Sequence, residues 1–279
     1  MARVKSIALI LLPLLLLGGC SALLDFNLFK ALGLDKTTAP KASDYQGAGG
    51  LDKLADDLSS AAVIEALKND PAAKADLEAF LQGLITGGAD TPEEQQAALL
   101  FADLELKTTS GEEFVNNIVT ALMTPIDTSV KVIDLLKTII PADVAGDKAK
   151  FTAMFTGLLS ANAMYFALGQ GIDSDAGGDG VVDPGKSLPP GANAGDIAQK
   201  AGVAFLANAI VTKVDDDALP TPDVADAITQ MYYLLYDQTN PGFTISPDLT
   251  MPNPFSTPGP AGLNAVKALY NAAGMTLPA

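Results

Sequence analysis

The sequence predicts an all-α fold of antiparallel helical hairpins, packed as a bundle or a short repeat-like array with two long irregular loops. Three observations carry this expectation. From Leu51 nearly to the end of the chain, apolar residues recur every three or four positions, the spacing that lines one face of a helix. Helix-start signals punctuate that pattern at Asp70-Pro71, Thr91-Pro92, Ser110-Gly111 and Thr221-Pro222, where a short polar side chain can accept from the open amides of a first turn. No stretch shows sustained alternation of β-branched or aromatic residues between tight turns, the mark of a half-buried strand.

The elements follow in order. Arg3 and Lys5 form a short basic region ahead of an apolar run from Ser6 to Leu17, the layout of a secretory signal. That run is shorter than the roughly 20 residues a spanning helix needs, and Pro13 interrupts it. It ends at Leu17, Gly18, Gly19 and Cys20, a sequence that resembles the lipobox of bacterial lipoproteins. The resemblance implies cleavage before Cys20, a diacylglyceryl thioether on its sulfur and acylation of the new amino terminus, with residues 1–19 as signal peptide. Two or more buried chains give lasting membrane attachment where one is marginal, at about 0.8 kcal/mol per methylene. Ser21 stands where an Asp acts as an inner-membrane retention signal in some Gram-negative bacteria, so the resemblance directs the protein to the outer membrane, at its periplasmic face or at the cell surface. Cys20 is also the only cysteine, so the mature chain has no disulfide to rely on.

Residues 20–50 read as the lipidated cysteine, a short helix with Leu24, Leu28 and Leu32 on one stripe, and a flexible tether through Pro40 and Gly47 to Gly50. Residues 51–279 read as one all-α domain. Leu51, Leu54, Leu58, Ala61, Ala62 and Leu67 open it, and a helix from Pro71 to about Ile85 follows, with Asp70 as its cap and Gly87-Gly88 beyond its end. Thr91 and Glu94 form a capping box, and Ser110 with Glu113 repeats it. Further helices are expected at about 127–140, 147–169, 194–213, 221–237 and 259–273. Ala153, Ala161, Ala163 and Ala167 suggest close helix approach. The two irregular loops span about 170–193 and 238–258, and Ser246 to Pro260 is too rich in proline to be helical.

Ala98 to Ala102, Ser110 to Phe114 and Ile118 to Leu122 place small and apolar residues much as a tetratricopeptide repeat does, with departures at Glu105, Phe114 and Pro125. A lipidated, repeat-like helical chain is similar in architecture to the T-component of TRAP transporters, a family of periplasmic helical lipoproteins. That resemblance implies a solute-handling partner of a transporter, with an apolar cavity between helices.

Chemistry-bearing residues are sparse. Asp173, Asp175, Asp179 and Asp183 lie within one glycine-rich stretch between two expected helices, where closely spaced carboxylates can supply the six to eight oxygen ligands calcium takes. The stretch resembles EF-hand loops: Asp175, Asp179, Gly180, Val182 and Asp183 fit positions one, five, six, eight and nine. Gly177 stands at the third, usually acidic, position and Lys186 where a bidentate Glu belongs, so Asp173 is the candidate replacement ligand. Asp215, Asp216 and Asp217 read as a solvated helix end. Tyr232 and Tyr236 share a helix face with Tyr233 turned away, so one face is expected to pack inside and the other to meet a loop or a partner.

Composition narrows the function classes. The 33 acidic residues against 17 basic ones, a net charge of −16, disfavour nucleic acid and anionic lipid headgroups and favour cations and basic partners. The absence of histidine removes the usual general base and the commonest zinc ligand, and the single thiol is reserved for lipid. Gly169-Gln170-Gly171 lacks the further glycine and the preceding strand of a phosphate loop. The expectation is therefore a non-enzymatic, lipid-anchored component of the bacterial cell envelope that binds or scaffolds an envelope protein, with calcium as its one candidate cofactor. The solute-handling transporter partner is the alternative.

Overall fold

A computed structural model describes residues 38–85, 88–123, 137–174, 178–218, 223–244 and 262–276. The signal peptide, Cys20, the leucine stripe at 24–32, Asp175, most of the helix expected at 127–140, Thr221 and the proline-rich stretch lie outside the described residues. Met1–Thr38 form one unit, nearly all of it undescribed, and Ala39–Ala279 form the body.

The ordered body begins earlier than the tether reading expects. Ala42–Tyr45 make a short 3-10 helix, η1, whose Ala42 and Tyr45 are buried. The Ala42 amide donates to Asp76 Oδ2 at 3.0 Å and the Tyr45 hydroxyl to Asp57 Oδ2 at 2.8 Å, which ties η1 to two helices that follow. Proximity to acids 12 and 34 residues away is a tertiary fact, invisible to local composition.

Helix α1 (Gly50–Leu58) and α2 (Ala61–Asn69) are separated at Ser59 and Ser60, so the first apolar stripe is broken into two short helices. In α3 (Pro71–Leu84), Asp70 accepts from the Ala73 amide at 3.1 Å, and the first-turn proline gives up no needed donor. The capping box of α4 (Pro92–Thr108) forms as expected: Thr91 Oγ1 accepts from the Glu94 amide at 3.3 Å, and Glu94 reaches back to the Thr91 amide at 3.0 Å. At α5 (Gly111–Met123) the repeated box does not form. Ser110 sits at a left-handed φ of 63° and turns its hydroxyl to Asp143 at 3.2 Å instead.

Two cores meet at α4. Leu54, Leu58, Leu67, Leu77 and Leu81 pack with Tyr45 against Ala97, Leu100, Phe101 and Leu104 on one side of it. Ala102 and Leu106, on the other side, join a larger core with α5, α6 (Lys148–Ile172), α7 (Ala194–Ala218), α8 (Val224–Tyr236) and α9 (Leu263–Ala272). A helix buried on both sides needs apolar residues all round, and α4 has them. Among the described residues there is no strand, and helices are the only regular structure.

Helix α6 is the axis of the larger core. It is long and apolar enough to cross a bilayer by length and composition, yet α4, α5, α7, α8 and α9 all pack against it and bury Phe151, Met154, Phe155, Leu158, Leu168 and Ile172. Fully burying each such side chain is worth about 1.5–3 kcal/mol. Phe151 stacks on Phe155 with ring centres 4.7 Å apart and receives the edge of Tyr232 at 5.7 Å. Tyr232 and Tyr236 lie 5.3 Å apart on the inward face, while Tyr233 turns out to meet the Lys148 ammonium at 4.9 Å. Close helix approach does not run through the alanines expected of α6. Ala153 and Ala163 are exposed and, of the four, only Ala161 is fully buried; α7 supplies buried Ala198, Ala201, Ala204 and Ala207, and on α6 itself Gly157 and Gly169 lie against Thr109 and Ala265. Gly171 serves the same end, since any side chain there would strike the Ala89 carbonyl.

Asp215 does structural work. Asp215 Oδ1 accepts from the Asp223 amide at 2.6 Å, and Asp223, two residues beyond the threonine expected to open α8, caps it through the Ala225 and Asp226 amides at 2.8 and 3.3 Å. Gln230, buried in α8, pins the start of the second irregular loop by donating to the Gly242 carbonyl at 2.6 Å and accepting from the Thr244 amide at 2.9 Å.

Candidate functional site

The acidic loop after α6 is wired by its own carboxylates. Asp173 is 5 % exposed, and its Oδ2 accepts from the Gly180 amide at 2.8 Å. Asp179 Oδ1 accepts from the Val181 amide at 2.8 Å, and Asp183 Oδ2 takes the Ser174 amide and hydroxyl at 2.8 and 2.7 Å. Those Ser174 bonds hold the Asp183 carboxyl below its usual pKa, with nearby Lys186 adding to the effect. The Asp183 amide donates to the Ile172 carbonyl at 2.9 Å and closes the loop at its base. Two asparagines of α9 then fasten it to the body: Asn264 donates to the Gly178 carbonyl at 2.6 Å, and Asn271 to the Gly180 carbonyl. Gly180 lies at φ +84° with its bare Cα against the Lys267 stem, a contact only glycine allows. Among the described residues no three acids converge as a metal site would require. One atom stands apart, since Asp173 Oδ1 is buried with no hydrogen-bond partner among the described residues.

The second half of the same loop builds a different feature. Pro189 to Ala192 face η1, α1, α3 and α4 across an open cleft of about 1120 Å³. Leu51, Phe80, Leu84 and Leu99, all half-buried, supply its apolar side chains together with buried Leu100. Gln46 to Gly49, exposed backbone between η1 and α1, form one edge, and the Pro189–Ala192 turn contributes another. Asp52 and Glu93 are the charged residues of the lining. Gln96 donates to Asp52 Oδ1 at 2.7 Å and holds that carboxylate in place. Three chain segments far apart in sequence make this cleft, so no single motif announces it. The glycine cluster at 47–50 and the Pro189-Pro190-Gly191 turn are its sequence traces.

Two lysines sit between helices away from the cleft, Lys200 buried and Lys74 half-buried. Lys200 on α7, its side chain 10 % exposed, reaches Asp196 at 2.9 Å, Asp103 of α4 at 3.0 Å and Glu112 of α5 at 3.8 Å. Burial opposes its charge, but Asp103 and Asp196 outweigh that and raise its pKa. Lys74 on α3 bridges Glu78 at 2.7 Å and Glu105 of α4 at 2.9 Å. Burial, with Glu78 beside it, pushes the Glu105 carboxyl up to about 7 against the pull of Lys74. Glu105, a departure from the repeat pattern, is thus an interhelical partner. A charge set among apolar neighbours, as Lys200 is between Ala198, Ala201 and Val203, was the available signal for both clusters.

No protein-family model matches this chain, and no curated protein and no solved structure gives a significant match.

Proposed function

We propose that the protein is a lipid-anchored binding component of the bacterial cell envelope, fixed to a membrane through Cys20, whose open cleft receives an extended segment of a protein partner. The cleft is the observation that carries this reading. Half-buried leucines, a phenylalanine and two edges of irregular backbone suit a peptide, which brings apolar side chains and main-chain groups together. A solute-handling role favours an enclosed chamber, and this cleft is open to solvent. The histidine-free sequence and the structural use of its buried charges speak for binding over catalysis.

The anchor is tested by labelling expressing bacteria with radioactive palmitate. Wild type takes up label and sediments with membranes, and Cys20→Ala does neither; equal behaviour of the two would end the lipoprotein reading. The cleft is tested by selecting displayed random peptides on the full chain in detergent and titrating the recovered ones. Ala55 lines the cleft and is exposed on α1, so Ala55→Trp fills the space without touching the core. Micromolar binding that this variant loses is the expected result. Peptides that bind both proteins alike would remove the cleft as the site.

Calcium at the 173–183 loop is a second reading, favoured by buried Asp173 Oδ1, which has no hydrogen-bond partner among the described residues. A buried carboxylate oxygen without a donor is costly, and a cation held with Asp175, Asp179 and Asp183 would relieve it. Calorimetry is expected to give micromolar calcium binding that Asp175→Ala with Asp179→Ala abolishes. Silence at millimolar calcium would return the loop to a purely structural part.

A further inference from the structure

The charges around the cleft specify its occupant further. Asp52 and Glu93 face the space from different helices, and the lining holds no lysine or arginine. Lys53, beside Asp52 in sequence, and Lys186, three residues before the Pro189 turn, are engaged elsewhere. Lys53 lies over the Tyr45 ring, 5.1 Å from its centre, with its ammonium 3.4 Å from the Asp44 carbonyl, and Lys186 pairs with Asp90 at 3.7 Å. Both α1 and α4 begin at the cleft, and each helix start carries about half a positive charge. A full negative charge in each first turn, Asp52 in one and Glu93 in the other, outweighs it. The surrounding chain deepens this sign with its net charge of −16. An anionic headgroup, a free carboxylate or an acidic peptide would thus meet a repulsive field, and a neutral apolar segment would leave both carboxylates without a counter-charge.

We infer that the cleft takes a cationic segment of its protein partner, an extended peptide in which apolar residues are flanked by lysine or arginine. This rests on the reading of the cleft as the binding site. The apolar residues fill the space between Phe80, Leu84 and Leu99, and the flanking cations reach Asp52 and Glu93. Attraction of this kind draws a basic partner to an acidic surface and sets its orientation, and it weakens as salt shortens its range.

The peptide selection described above separates the two claims. The recovered peptides are expected to be rich in lysine and arginine. Their dissociation constants should rise about tenfold between about 0.1 M and about 1 M salt, as the Debye length falls from about 10 Å to about 3 Å. Asp52→Asn combined with Glu93→Gln should weaken them by about fivefold, in line with exposed ion pairs, and should leave binding of matched peptides with glutamine in place of lysine unchanged. Recovery of neutral or acidic peptides that Ala55→Trp still blocks would overturn the cationic inference and leave the cleft as a binding site. Finding that Ala55→Trp blocks none of the recovered peptides would overturn both.

Discussion

Around α6 the chain packs helices on several sides of one long axis, whereas before α4 its helices bury a single stripe each. Helices α6 and α7 run for 25 residues apiece, and α1 and α2 for nine. The long pair runs through a core of aromatic, branched and alanine side chains. The short set leaves glycine-rich turns exposed, and between them and the Pro189 turn the cleft stays open. Rigidity and access are thus assigned to different parts of one body, with α4 as the wall they share.

The largest expected effect tests whether the two cores are separate units. Phe151→Ala should remove about 3–5 kcal/mol of stability, read by denaturant unfolding, because it empties the aromatic centre of the larger core. Leu77→Ala, equally buried in the smaller core, should cost about 2–4 kcal/mol. Its loss of hydrogen-exchange protection should stay within α1 to α3. Equal loss of protection across α6 to α9 would show that the cores open together.

Next in size, Lys200→Met should destabilise the body by about 1–3 kcal/mol, because Asp103, Asp196 and Glu112 lose the cation between them while remaining partly open to water. An unchanged unfolding midpoint would mean that solvent already screens this cluster.

The pH dependence sharpens the comparison most finely, since Glu105 joins α3 to α4 in the smaller core alone. Its folded pKa of about 7 stands above the ordinary 4.5, so the folded state holds this proton more tightly than the unfolded chain does. The stability that Glu105 contributes is therefore fully present below the ordinary value, is lost as pH rises through about 7 and then levels off, a loss of about 1–3 kcal/mol. Glu105→Gln should flatten that slope, checked by unfolding midpoints across the range. A slope that survives the substitution would assign the titration elsewhere.

How much of this was legible depended on how local each cause is. The caps at Asp70 and Thr91 act within four residues, so sequence shows both, and the shared face of Tyr232 and Tyr236 follows from helical spacing, although spacing alone does not say that this face is the inward one. Ser110 defeats the same reasoning because Asp143, 33 residues on, takes its hydroxyl. Acid spacing was equally visible at Asp173, Asp179 and Asp183, but spacing is silent on direction, and each of these side chains is committed to an amide of its own loop. The cleft was the least legible feature, being assembled from three segments whose local patterns read as tether, helix and loop.

The bonds from Asn264 and Asn271 to the loop behind α6 join residues 86 and 91 positions apart. A chain emerging from its amino end would have made α6 and α7 long before these asparagines exist. The Gly178–Gly180 part of the loop between them therefore cannot be fastened until α9 is made, so this corner of the body is among the later contacts to form.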